Sequence, residues 1–174
     1  MRTSLAVLIL LGPFGVSANE PDSARALAES GLASSHFNLG SSYYSGKGTV
    51  QNYKEALKWF KASADQGNSN AQRALAIMYY RGEGIPQDFR EATHWFLVSA
   101  KQGNAGAQHD LGIIHYEGEG TLQDFKLAHM WFNLAAANGH EGAKTLRDKL
   151  AKEMTPADIS EAQQMASDWM KAHP

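Results

Sequence analysis

The residues able to do chemistry are few, and their spacing argues against most reactions. The chain carries seven histidines: His36, His94, His109, His115, His129, His140 and His173. Imidazoles hold a metal from one helix when they stand four residues apart, as in H-E-x-x-H. No pair here has that spacing. His109 and His115 fall in one helical segment but project to different sides of it. They read as surface or interface groups. Glu83, Glu117, Glu119 and Asp124 form an acidic set, and paired carboxylates do acid–base work when their surroundings separate their pKa values. These four sit beside glycines in segments that recur along the chain, which fits a turn better than a catalytic centre. Gly82-x-Gly84 and Gly118-x-Gly120 resemble phosphate loops only superficially. Each follows a helical segment rather than a strand and lacks the third glycine. There is no cysteine, which excludes thiol catalysis, cysteine zinc sites, iron–sulfur clusters and disulfides. The net charge of −2, with no basic run, leaves no electrostatic footprint for nucleic acid. The expectation is a non-enzymatic chain with no cofactor and no metal, whose work is binding.

What must position any binding surface is a repeat. Residues 33–68, 69–104 and 105–140 align without a gap at a period of 36. Leu39, Leu75 and Leu111 coincide, as do Gly46, Gly82 and Gly118, then Gly48, Gly84 and Gly120. Ala56, Ala92 and Ala128 match, followed by Trp59-Phe60, Trp95-Phe96 and Trp131-Phe132. In the second unit the pattern predicts a helix A over about 70–81 and a helix B over about 89–102. The first loop glycine closes helix A in the left-handed conformation. Asn52, Asp88 and Asp124 suit helix-B N-caps, with Glu55 and Glu91 as capping-box partners. Alanines and Gly40, Gly112 permit close helix approach, while the leucines and Trp-Phe pairs fill the space between hairpins. No single hairpin buries this surface alone, so the units must stack. The fold expected is all-α: a right-handed α/α solenoid with helical caps.

The ends differ. Arg2, the apolar run Leu5–Leu11 and the small residues of Val16-Ser17-Ala18 give 1–18 the pattern of a secretory signal peptide. Residues 19–32 read as an N-terminal half-repeat, a shortened helix B covering the first unit. Residues 141–174 read as C-terminal caps. Glu141–Lys152 continues the helix-A pattern, with Leu146 and Leu150 out of register. Thr155-Pro156-Ala157-Asp158 starts a last helix. Its stripe Ile159, Ala162, Met165, Ala166, Trp169 and Met170 is expected to fold back over the open end of the stack.

Helix-A positions outside the core line the inner face of such a solenoid, the usual binding face. They are Phe37, Asn38, Ser41 and Tyr44, then Arg73, Ala74, Ile77 and Tyr80, then His109, Asp110, Ile113 and Tyr116. Tyr44, Tyr80 and Tyr116 form a ladder at one repeat position. Tyrosine and arginine anchor interfaces through large contact area with a polar tip. The ladder is equally readable as structural packing. Arg73 and His109 do not repeat, which marks them for specificity. The candidate partner-binding set is Phe37, Asn38, Tyr44, Arg73, Ile77, Tyr80, His109, Ile113 and Tyr116.

At Ala107, Leu111, Gly112, Gly118, Gly120, Asp124, Lys126, Ala128, Trp131, Phe132, Ala136 and Gly139 the chain resembles the Sel1-like repeat family, a relative of tetratricopeptide repeats. It departs where His115 replaces the helix-A tyrosine seen at Tyr43 and Tyr79. The resemblance implies an adaptor or scaffold for a partner protein or peptide, often exported in bacteria. With the signal pattern, that suggests a periplasmic or secreted protein, most naturally Gram-negative, without stable membrane insertion after cleavage. The alternative it implies is a secreted cell-wall or β-lactam-binding hydrolase. Members linked to that activity are cysteine-rich, and this chain has no cysteine.

Overall fold

The computed structural model describes Ala28 and residues 31–173. The expected signal segment lies outside the described residues. So does the expected N-terminal cap, apart from Ala28, Gly31 and Leu32.

The helices are α1 (Ala33–Ser45), α2 (Tyr53–Ala64), α3 (Ser69–Arg81), α4 (Phe89–Lys101), α5 (Ala105–Glu117), α6 (Phe125–Ala137), α7 (Glu141–Leu150) and, after a 3-10 turn over Ala151–Glu153, α8 (Pro156–Ala172). Helices α1, α3, α5 and α7 are A helices; α2, α4 and α6 are B helices. Each A helix packs on the B helix that follows it, and each B helix on the next A helix, so the chain is an α/α solenoid. No described helix is long and apolar enough to cross a membrane.

Local sequence explains the boundaries. Asn52 and Asp88 accept from the backbone N–H groups two and three residues on, and Asp124 from Leu127 N–H at 2.9 Å. The reciprocal glutamate bonds of a capping box are not formed. The cap N–H groups of Asn52, Asp88 and Asp124 donate instead to the carbonyls of Tyr43, Tyr79 and His115, at 2.8, 3.0 and 2.8 Å, which closes each loop back onto its own A helix. A second series of caps was not apparent from sequence. Asn68, Asn104 and His140, one period apart, accept from Ala71, Ala107 and Ala143 N–H to start α3, α5 and α7. Gln51, Gln87 and Gln123 each donate to the carbonyl of the groove tyrosine in their unit at 2.8 Å.

Two kinds of contact lock one unit to the next. The first is close approach. The second loop glycine has positive φ at Gly84 and Gly120, and each lies against the start of the preceding B helix, on Tyr53 and Phe89. A side chain at Gly120 would overlap that of Phe89. Within a hairpin, a Cβ on Gly112 would come to 2.5 Å from the Phe132 ring. The second is a buried amide bridge. Gln72 Nε2 donates to Ala64 O of the preceding B helix at 3.2 Å, while its Oε1 accepts from Gln102 Nε2 of its own B helix at 2.7 Å. Gln108 repeats this with Ala100 O and Asn138 Nδ2, at 3.1 and 2.8 Å. His36 does the same with Ala28 O and Gln66, at 2.9 and 3.0 Å. The serines at Ser63 and Ser99, fully buried, add bonds to Ala33 O and Ser69 O.

The C-terminal helices depart from expectation. Leu150 is buried and stands one period after Ile114 and two after Met78, so it is in register with the core. Helix α8 does not cover the free side of α7; it packs on α6. Helix α6 is apolar nearly all round, with Met130, Trp131, Phe132 and Leu134 all buried, and such a helix needs cover on both sides. Ala166, Met165 and Trp169 of α8 supply it, Trp169 meeting Trp131 edge to face at 4.7 Å. The free side of α7 presents Glu141, Lys144 and Asp148 to solvent and needs no cover.

Two stability predictions follow from these contacts. Gly103 has positive φ and open space around its Cβ position, so Gly103→Ala is expected to cost about 1–2 kcal/mol from backbone strain alone. Gly120→Ala adds the overlap with Phe89 and is expected to cost about 3 kcal/mol or more, read as urea-unfolding midpoints. Equal effects would mean that loop stacking contributes nothing. Burial lowers the pKa values of His115, His129 and His140, with Arg147 adding to the effect on His129 and His109 to that on His140. The unfolded chain, at an ordinary value of about 6.5, then takes up these protons first. Stability is therefore full above about pH 6.5 and is lost as pH falls through the lowered folded values. His129→Leu is expected to flatten the fall of the urea midpoint between about pH 7 and pH 5; an unchanged slope would count against it.

Candidate partner-binding groove

The A-helix side chains outside the core enclose three cavities, one for each step between units. The first lies between α1 and α3, walled by Phe37, Tyr44 and Ala74, with a volume of about 320 Å³. The second lies between α3 and α5, walled by Tyr80, Arg81 and Asp110, at about 140 Å³. The third lies between α5 and α7, walled by Tyr116, Leu146 and Lys149, at about 160 Å³. Their floors are Phe60, Phe96 and Phe132, the same repeat position of successive B helices. Arg73 and Ile77 line the first two, and Ile113 the last two, so the cavities run into one groove.

Seven of the nine sequence candidates line this groove; Asn38 and His109 do not. Asn38 is solvent-exposed. His109 stacks on His140 at 4.3 Å and reaches Asp110 with Nδ1 at 3.3 Å, so it supports the wall from behind. Sequence reasoning did not assign Arg81, Leu146, Lys149 or the phenylalanine floors to the groove. The period offered a signal for the last two walls, because Lys149 stands one period after Ile113 and Leu146 one after Asp110.

The tyrosine ladder has two jobs. Tyr44 OH donates to Glu83 Oε2 of the next unit's loop at 2.7 Å, and Tyr80 OH donates to Glu119 in the same way. Burial, followed by the Glu119 carboxylate, raises the pKa of Tyr80 well above the ordinary phenol range, so it stays a donor. The loop glutamates are thus occupied in joining units. Tyr116 stacks on Phe125 at 5.7 Å, with Thr155 standing where the next glutamate would be.

Arg73 is held in place by two residues that also break the repeat. Its Nε donates to Asp110 Oδ2 at 2.7 Å. Its stem lies over Gly106, where a Cβ would stand 2.7 Å from Nε; the other units have Ser34 and Asn70 there. Among the described residues the two terminal guanidinium nitrogens make no hydrogen bond. Among the described residues, no three His, Asp or Glu side chains stand close enough together to hold a metal ion.

Comparison with known proteins agrees with this architecture. No curated protein matches the chain. Among solved structures, c5321, a protective antigen present in uropathogenic Escherichia coli strains and displaying an SLR fold, is 29% identical with a TM-score of 0.80 over 88% of this chain. The chain spans only 33% of that protein's length. A Sel1 repeat protein from Oxalobacter formigenes is 34% identical with a TM-score of 0.64, over 74% of this chain and 96% of the other. The Sel1 repeat model matches residues 33–68, 69–104 and 105–140. The chain belongs to the Sel1 repeat family.

Proposed function

We propose that this chain is an exported binding protein that holds a segment of a partner protein along its A-helix groove. The observation that carries the reading is the series of phenylalanine-floored cavities, one per repeat step, joined by Ile77 and Ile113. A ligand site of this kind is concave and mostly apolar, with a few placed polar groups. Proteins built of Sel1 repeats generally mediate protein–protein interaction. The export part of the reading rests on Arg2, the apolar run Leu5–Leu11 and the small residues Val16 and Ala18.

The groove is tested by placing a photo-crosslinking benzoylphenylalanine at Ile77, and at the exposed Lys58 as control, in cells of the source organism. A discrete protein adduct is expected from Ile77 and not from Lys58. It should vanish when Ile113→Glu is added; because Ile113 is half-buried against the core, circular dichroism and a thermal midpoint above the assay temperature check that the variant is folded. Adducts that ignore Ile113→Glu would place the partner elsewhere. Export is tested separately: N-terminal sequencing of the protein from an osmotic-shock fraction is expected to begin at Asn19, and an intact Met1 there would refute cleavage.

A further inference from the structure

One helix cap in the stack can be switched by a proton. Helices α3 and α5 are capped by Asn68 and Asn104, whose side-chain oxygens accept at any ordinary pH. The equivalent residue before α7 is His140, whose Nδ1 accepts from Ala143 N–H at 3.1 Å. An imidazole accepts only through an unprotonated nitrogen, so His140 in this geometry is neutral, with its proton on Nε2. Protonation makes Nδ1 a donor that meets a donor. It also places a positive charge at the positive end of a helix. The carbonyl of His140 shares Ala143 N–H, also at 3.1 Å, so acid removes the side-chain half of the cap.

The surroundings of His140 tie this cap to the groove. Its ring stacks on that of His109 at 4.3 Å, with 19° between the planes. His109 lies 5.9 Å from Phe132, the floor of the third cavity, and reaches Asp110 Oδ1 with Nδ1 at 3.3 Å. Asp110 holds Arg73 in the groove wall. The charged groups acting on His140 are thus His109 and Asp110 of α5 and Arg73 of α3, with Glu141 in the first turn of its own helix. Two stacked imidazolium rings repel, so charge on His109 delays charge on His140. Neither His109 nor Asp110 recurs: Phe37 and Arg73 stand at the first position, Asn38 and Ala74 at the second. Burial, then His109 and Arg73, lowers the pKa of His140, with Asp110 opposing. The cap is therefore complete above about pH 6.5 and is lost as pH falls through the lowered value.

Helix α7 is the A helix most sensitive to such a loss. Helices α3 and α5 each pack on two B helices, whereas α7 packs on α6. It has 10 residues, too few to hold a helix without tertiary support. Its Leu146, Lys149 and Leu150 wall the third cavity. We propose that His140 is an acid-sensitive latch: neutral, it caps α7 and holds the α7 wall of the third cavity; protonated, it uncaps α7 and loosens that wall, with His109 setting the pH at which it opens. The latch acts whether or not the groove holds a partner.

The test is amide hydrogen–deuterium exchange of the purified protein between about pH 7.5 and about pH 5, with rates corrected for the intrinsic pH dependence of exchange. Protection of a peptide over α7 is read against that of a peptide over α5, whose cap is an asparagine. In wild type the ratio is expected to fall at least about threefold with acid, the effect of losing a side-chain cap. In His140→Asn, which supplies the cap of the other units, the ratio should stay flat. His109→Phe keeps a ring in the stack and removes its charge, so the fall should move to higher pH. Far-UV circular dichroism checks that each variant is folded. A flat ratio in wild type overturns the latch. An equal fall in wild type and His140→Asn also overturns it, and assigns the acid response to His129, which faces Arg147 and Asp148 farther along α7. A fall at unchanged pH in His109→Phe overturns the role of His109.

Discussion

Every A helix from α1 to α5 carries one buried polar side chain that reaches two B helices at once. Gln72 and Gln108 each bond a carbonyl at the end of the preceding B helix and an amide at the end of their own, and His36 makes the equivalent bonds to Ala28 O and Gln66. Buried polar groups of this kind are tolerated only when fully satisfied, and a satisfied bridge admits one separation and one register. The step between units is therefore set by hydrogen-bond length at the end of the hairpins and by Gly84 and Gly120 lying against the start of the preceding B helix. The groove inherits its period from that step. A cavity at each step is a by-product of stacking, and it is the linings, not the positions, that were free to vary.

Much of the architecture was legible from periodicity. The helix boundaries, the helix-B caps and the groove position of seven of the nine candidate residues followed from the repeat, because a residue's place in the period determines which face it occupies. What was not legible depended on contacts between units. The Tyr44–Glu83 and Tyr80–Glu119 bonds join residues 39 apart, which no single-unit pattern reveals. Arg73, Gly106 and Asp110 were visible singly as departures from the repeat, but their convergence needed coordinates. The docking of α8 was misjudged for a related reason. Its stripe showed which face is buried, yet the choice of surface was made by the apolar circumference of α6. Leu150 is out of register with the Leu39–Leu75–Leu111 series but in register with Met78 and Ile114, which are buried at another position of the period.

Repetition and departure from it fall on different residues here. The loop glutamates, the buried amides and the phenylalanines recur, and each is engaged by a neighbour. The departures collect on the α3–α5 side of the groove, where Arg73 is braced by Asp110 from one side and given room by Gly106. In a repeat fold whose recurring positions are saturated by internal contacts, only such exceptions are free to vary.

The polar outer side of α7 has a consequence beyond its own stability. The surfaces that stack unit on unit within a chain are heterologous, and heterologous contacts that do not close a ring extend into filaments. Lys144 stands one period after Gln108, where a further unit would need the bridging amide. With that lysine and the charges around it in solvent, this face of α7 lacks the buried bridge that joins one unit to the next, and a second molecule stacking there would have to desolvate those charges.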